Sequence, residues 1–246
     1  MRVFLSRWTC LDVASNLARV PREALVAADG GARLAVFPES FLHGYTRIVE
    51  PARVRGVFGE TSAKHPEVAF VFGSFSEDRR NRMTVWQAGR EIARYDKVHL
   101  FPPNGELEIW DRGDRYAALR LDDWTLGLIN CNDVRFPEQA RALRMQARAD
   151  LFVAVAWWPW RRDHVWAALL RARAIENAAF CLGCSIAGSE DDDERFAGAG
   201  NHVFDPLGDP VLTPDEGFYE LDRRRFDPVI VDPLEHYVEI AGVDVF

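Results

Sequence analysis

The chain has 246 residues, 48% hydrophobic and 28% charged, with a formal net charge of −8. That composition supplies a real core and excludes disorder, and the acidic balance excludes a nucleic-acid binder, which needs basic surface. No apolar run approaches the roughly 20 residues of a membrane span. The N-terminal MRVFLSRWTCLDVA lacks a secretory signal's apolar core and cleavage site, so a cytoplasmic protein is expected.

No Ser-, Gly- or Pro-rich linker divides the sequence, which suits a single domain over residues 1–246. A short strand is expected at 2–5, then a helix over 15–29 with Leu17, Val20 and Leu25 on or near one face. Pro21 must kink that helix or begin it. Gly30-Gly31 ends the helix, and residues 34–37 form a continuous apolar strand of the kind covered on both faces. VAFVFG at 68–73 repeats that type. Residues 82–87 and 91–95 read as a hairpin, and 117–121 with 124–130 as a second one turning at Asp122-Asp123.

Beyond Cys131 a helix is expected over 136–149, with Pro137 in its first turn, and a buried strand over 151–155. Asp163 can cap a helix running to about Ala179, with Trp166, Leu169, Leu170 and Ala172 as its apolar stripe. Residues 180–187 return as a strand. A late hairpin spans 202–205 and 210–213, and 217–221 is the last strand. βαβ-like units mixed with hairpins imply an α/β fold of two mixed sheets with helices outside.

Four cysteines, Cys10, Cys131, Cys181 and Cys184, are too few and scattered for a disulfide framework. Cys181 and Cys184 form a CxxC inside an expected buried strand, so they read as small core residues rather than a redox pair. No Cys or His pair has zinc spacing. The charge run at 189–195 (SEDDDER) lacks the pattern of a calcium loop and reads as a solvated loop.

Three reactive side chains stand where strands end: Glu39 in LAVFPE, Lys97 in RYDKVHLF and Cys131 in LGLINCNDVRFPE. Each alone has a plain explanation: a capping carboxylate, an exposed lysine, a core thiol. Together, at rigid sheet ends that loops leave open, they offer a proton acceptor, an oxyanion partner and a nucleophile. Cys131 lies between a strand and a helix start, where N–H groups favour a thiolate. Asp133 and Arg135 are expected to pair and shape that turn. No histidine is suitably placed for a Cys–His protease.

FPES, YDKVHLF and NCNDVRFPE, in this order, resemble the three signatures of the nitrilase superfamily, the carbon–nitrogen hydrolases. PPNGE before RGD, WWPW with LLRARAIEN, GCSIAG and GNHVFDPLGD extend the resemblance over roughly residues 1–222. It implies a four-layer α-β-β-α sandwich paired as a homodimer. It also implies Glu39 as general base, Lys97 as the cation facing an oxyanion beside a backbone N–H, and Cys131 as nucleophile. Glu106, or Glu108 if the loop is shifted, would be a second glutamate holding Lys97 and orienting substrate.

No metal or organic cofactor is implied. RARAIEN and the short length are similar to the amidase-like branch that includes omega-amidases. The implied substrate is a small amide, possibly of a carboxylic or keto acid, with N-carbamoyl compounds or nitriles as alternatives. The intact Glu39–Lys97–Cys131 set argues against a non-catalytic binding protein. Three positions depart from the pattern: Asn132 replaces an aromatic residue, Val165 a histidine, and Ala156 the asparagine ahead of WP.

Asn132, Arg135, Trp157 and Arg162 are the expected substrate contacts, with Arg161 a further candidate for a carboxylate. Trp158 and Trp160 would wall the pocket or an interface, and the apolar, Trp-rich stretch 154–166 suggests a dimer contact. The segment after Leu221 matches nothing.

Overall fold

The computed structural model describes residues 1–45, 49–190, 196, 200–213, 215–229 and 231–238. In chain order, β1 (Arg2–Leu5) and β2 (Thr9–Cys10) precede α1 (Val13–Asp29), β3 (Leu34–Phe37) and α2 (Pro51–Lys64). Next come β4 (Ala69–Glu77), β5 (Arg80–Gln87), β6 (Arg90–Asp96), α3 (Glu106–Ile109), β7 (Ala118–Leu121) and β8 (Trp124–Asn130). Then follow α4 (Pro137–Ala147), β9 (Leu151–Ala156), α5 (Asp163–Asn177), β10 (Phe180–Ser185), β11 (Gly188–Ser189), β12 (His202–Phe204), β13 (Phe218–Glu220) and α6 (Pro233–His236).

Two mixed sheets face each other. One has six strands in the order β13-β1-β3-β4-β5-β6 and the other five in the order β12-β10-β9-β8-β7. The period-2 alternation of strands sorts their side chains into layers. Leu34, Val36, Val71 and Val85 of the first sheet meet Leu128, Val153, Val155 and Leu182 of the second between the sheets. The opposite faces are covered as well. Phe37, Phe70 and Phe72 pack under Leu17 and Val20 of α1 and Phe58 of α2, and Phe152 and Ala154 pack under Leu143 of α4 and Trp166 and Leu170 of α5. The result is the α-β-β-α sandwich, and it explains why these strands read as unbroken apolar runs.

Several local expectations are corrected. Asp12 caps α1 by accepting from Ser15 N at 3.0 Å, so Pro21 lies inside the helix rather than beginning it. α2 was not foreseen; its Gly56 and Gly59 dilute a pattern that still buries Val54, Phe58, Thr61 and Ser62. Asp163 does not cap α5: it lies in the first turn and its carboxylate meets His202 Nε2 at 3.0 Å. The second arm of the late hairpin shrinks to a bridge between Phe204 and Pro210.

Cys181 and Cys184 are both buried, three positions apart on one strand, so one faces the helices and the other the opposite sheet. Of the 154–166 stretch, Trp157, Trp158 and Trp166 are consumed inside the chain and Trp160 is exposed, so that stretch is not an apolar surface. Most of the charge run at 189–195 lies outside the described residues. In the unmatched C-terminal segment, Phe226 packs on Trp124 and Phe180, and Asp232 pairs with Arg144 at 2.7 Å.

Candidate active site

Parallel pairing of β3 with β4 and antiparallel pairing through β5 make β6 run in the direction of β3. Glu39 and Lys97 therefore leave the same end of the first sheet. β8 and β9 pair in parallel in the second sheet and deliver Cys131 and Trp157. The sandwich closes these four strand ends on one another.

Close approach at that end depends on Gly73, in the irregular stretch of β4 between Val71 and Ser74. Its φ is +37°, and a Cβ there would stand 1.8 Å from the carbonyl oxygen of Pro38, the residue before Glu39. Only glycine admits that contact. Cys131 itself adopts φ +51°, at the start of a 3-10 turn over Cys131–Arg135. A non-glycine residue held left-handed at a strand end marks a sharp corner that turns its side chain out of the sheet.

Lys97 Nζ donates to Glu39 Oε1 at 2.7 Å and to Glu106 Oε1 at 2.9 Å, all three side chains being buried. Glu106 opens α3, and its Oε2 accepts from Phe101 N at 2.8 Å. Glu108 is exposed and takes no part. Glu39 Oε1 also accepts from Asn81 Nδ2 at 2.9 Å, and Oε2 accepts from Trp157 N at 2.9 Å.

Burial pushes the Glu39 carboxyl up, but the Lys97 charge and hydrogen bonds from Lys97, Cys131 and Trp157 outweigh it and hold it below its ordinary value. Glu106 goes the other way: burial, with the Glu39 charge, raises it despite Lys97. Burial would lower Lys97, yet the negative charges around it keep it above the ordinary lysine value. The Cys131 thiol is driven well up, first by burial and then by Glu39. The turn therefore does not favour a resting thiolate: burial exceeds the benefit of Lys97, and α4 begins only at Pro137.

A pocket of about 150 Å³ opens onto this network, with Cys131 and Glu106 on its wall and Glu39 and Lys97 behind. Tyr45, Phe101, Trp157, Trp158 and Phe196 supply aromatic walls, and among the described residues Arg135, Arg161, Arg162 and Glu106 are the charged groups at the wall. Arg135 lies over the Trp158 ring at 4.7 Å, rather than pairing with Asp133. Asp133 instead accepts from Asn130 N, Tyr95 Oη and His99 N, tying the cysteine turn to the lysine segment. Asn132 lines the pocket, but its amide nitrogen is committed to the carbonyls of His99 and Leu100.

Sequence reasoning missed Tyr45, whose hydroxyl pKa is held well above normal by burial, then by Glu39, Glu106 and Cys131. It missed Asn81 too. His43 is also close to Glu39; burial pushes it down to about 4, and its neutral ring accepts from Ser76 N at 3.0 Å.

Comparison with known proteins agrees with this architecture. The carbon–nitrogen hydrolase family model matches residues 5–217. The omega-amidase YafV of Escherichia coli K12 is 30% identical over 212 residues, covering 83% of this chain and 80% of that protein. A 2-oxoglutaramate amidase of Paenarthrobacter nicotinovorans is 32% identical over 214 residues, covering 78% and 71%. The crystal structure of Saccharomyces cerevisiae Nit3, a member of branch 10 of the nitrilase superfamily, superposes with a TM-score of 0.80 at 24% identity, covering 92% of each chain. With its two facing sheets and the family match running through all three strand ends, the chain belongs to the carbon–nitrogen hydrolase family.

Proposed function

We propose that the protein hydrolyses a small amide carrying a carboxylate, giving a carboxylic acid and ammonia through a thioester on Cys131. The observation that carries this reading is the buried Glu39–Lys97–Glu106 network behind a pocket whose wall includes Cys131. Glu39 is the charged base, because its donors hold it ionised while the thiol stays protonated at rest. The Cys131 thiol hydrogen-bonds to Glu39, while Glu106 holds Lys97 and Phe101 N.

As the Cys131 sulfur bonds to the amide carbon, its proton passes to Glu39 and the carbonyl π electrons move onto oxygen. Lys97 has three N–H donors and spends two on Glu39 and Glu106, leaving the third for the oxyanion. Glu39 then protonates the nitrogen as the C–N bond breaks and ammonia leaves. A water gives its proton to Glu39 and attacks the thioester; the C–S bond breaks, and the sulfur takes the proton back. Arg135, Arg161 and Arg162 at the wall suit a substrate whose far end is a carboxylate.

Two named amidases among the relatives support this substrate class, one of them a 2-oxoglutaramate amidase. We further propose a homodimer, supported by the face of α5 formed by Ala167, Ala168, Ala172 and Ile175 beside Phe204, apolar apart from Arg171. A cytoplasmic location suits four cysteines that are all reduced thiols. The test of function is ammonia release from ω-amides of dicarboxylic and 2-oxo acids, N-carbamoyl amino acids and nitriles. Turnover of the ω-amides supports the reading; turnover of nitriles or N-carbamoyl compounds alone overturns it. Light scattering that returns a monomer mass at micromolar concentration overturns the dimer.

A further inference from the structure

Asn81 touches all three arms of the site. It is buried on β5, on the opposite sheet from Cys131. Its Nδ2 donates to Glu39 Oε1 at 2.9 Å, its Oδ1 accepts from Asn130 Nδ2 at 3.1 Å, and its main-chain oxygen accepts from Lys97 N at 3.0 Å. Asn130 is the residue before Cys131, so one side-chain amide links the acid, across the gap between the sheets, to the strand end that carries the thiol. The orientation of that amide follows from the charge of its partner: an ionised carboxylate only accepts, so the NH₂ group must face Glu39 and the oxygen must face Asn130.

The hydrogen bonds divide the two oxygens of Glu39. Each carboxylate oxygen has about two acceptor positions. Oε1 is taken by Lys97 and Asn81, whereas Oε2 accepts from Trp157 N; the Tyr45 hydroxyl and the Cys131 thiol also hydrogen-bond to this carboxylate, and Oε2 is the less crowded oxygen for the thiol. We propose that Asn81 is a positioning residue for the reaction: it locks Glu39 so that Oε2 alone exchanges the proton with Cys131, and it holds the cysteine strand in register with that oxygen. The proposal rests on the reading of Glu39 as base and Cys131 as nucleophile. It assigns Asn81 no contact with substrate.

The variants Asn81→Asp, Asn81→Ala and Asn130→Ala separate this role from bracing. Asn81→Asp keeps the shape and the acceptor for Asn130 but removes the donor to Glu39; Asn130→Ala removes the inter-sheet bond and the Asn130 side chain from the capping box of the cysteine turn, and leaves the Asn81 donor to Glu39 in place. The readouts are amide turnover and the rate of Cys131 alkylation by iodoacetamide, each across pH, with melting points alongside. For Asn81→Asp, kcat falls about 10- to 100-fold, the size of one lost hydrogen bond to a charged group, with little change in KM. The acid limb of both profiles moves to higher pH, because a donor to the charged form holds a carboxyl down and its loss lets Glu39 rise. The other groups facing Glu39, namely Lys97, Cys131, Glu106, Tyr45 and His43, are the same in every variant.

Asn81→Ala gives the same shift without a new charge, and carries the test if Asn81→Asp does not fold. Asn130→Ala loses less rate and leaves the acid limb in place. An unmoved acid limb in both Asn81 variants, with rate falling only as melting point falls, overturns the proposal and leaves Asn81 a brace. A wild-type protein that neither releases ammonia nor alkylates at Cys131 instead overturns the underlying assignment of nucleophile and base.

Discussion

Lys97→Met removes the one cation from between two buried carboxylates, and its cost can be worked from the geometry. Lys97 contacts Glu39 at 2.7 Å and Glu106 at 2.9 Å, with all three side chains buried. Removing one partner of a buried pair costs about 3–5 kcal/mol, because the other charge stays buried without compensation. For a chain of this size that corresponds to a melting point lower by roughly 6–20 °C.

The loss depends on pH in a definite direction. In the native protein the Glu39 carboxyl is depressed, so its contribution to stability is present above the unfolded carboxyl pKa and lost as pH falls through the folded one. Without Lys97, burial and mutual repulsion raise both carboxyls. Their favourable contribution is then present below the unfolded value near 4.3 and is lost as pH rises through the raised folded value. The variant therefore melts higher at pH 5 than at pH 8, and its gap from wild type narrows as pH falls. Circular-dichroism melts at the two pH values test this. A variant that melts within about 2 °C of wild type at both, well short of that range, refutes the description of the network as charged.

Other perturbations address the remaining parts. Cys131→Ala should abolish turnover while the melting point stays within a few degrees of wild type, and wild type quenched in acid should carry the acyl group on Cys131 by intact-protein mass spectrometry; turnover at the wild-type rate in the variant refutes the nucleophile. Gly73→Ala forces a Cβ toward the Pro38 carbonyl and should cost about 1–3 kcal/mol, with kcat falling through the displaced Glu39; full activity would show that this approach is unimportant to the acid. Arg135→Gln should raise KM about 10-fold for amides bearing a carboxylate, the size of a lost charged hydrogen bond, and leave an uncharged amide of equal length unchanged; equal losses on both would place Arg135 in structural support.

The elements most legible in the sequence were those buried on both faces, such as β3, β9 and β10, because burial on two sides writes an unbroken apolar run. The ends of β3 and of the largely buried β8 then marked Glu39 and Cys131, whereas Lys97 follows the half-exposed β6 and stood out through the segment YDKVHLF. α2 was missed because its inward residues, Val54, Phe58, Thr61 and Ser62, are separated by glycines and include polar members. Asn81 was missed for a different reason. Its role depends on which strand from the opposite sheet ends beside β5, and nothing local to RNRMTVW encodes that. The expected thiolate at Cys131 failed because helix proximity was weighed without the burial that the sandwich imposes.

The proton acceptor and the thiol reach each other from different sheets, and what sets their separation is a layer of aliphatic side chains, Val36, Val71, Val153, Val155 and Leu182 among them. That layer works as a spacer. Its thickness fixes the interval between sulfur and carboxylate, just as the diameter of a bearing fixes the gap between two plates. Trimming a methyl group deep in the sandwich thus alters the reaction distance without touching any residue that meets substrate. Divergence among sequences with this architecture is constrained accordingly: core volume can be redistributed between neighbouring positions, while its sum along the line joining the two strand ends must be maintained.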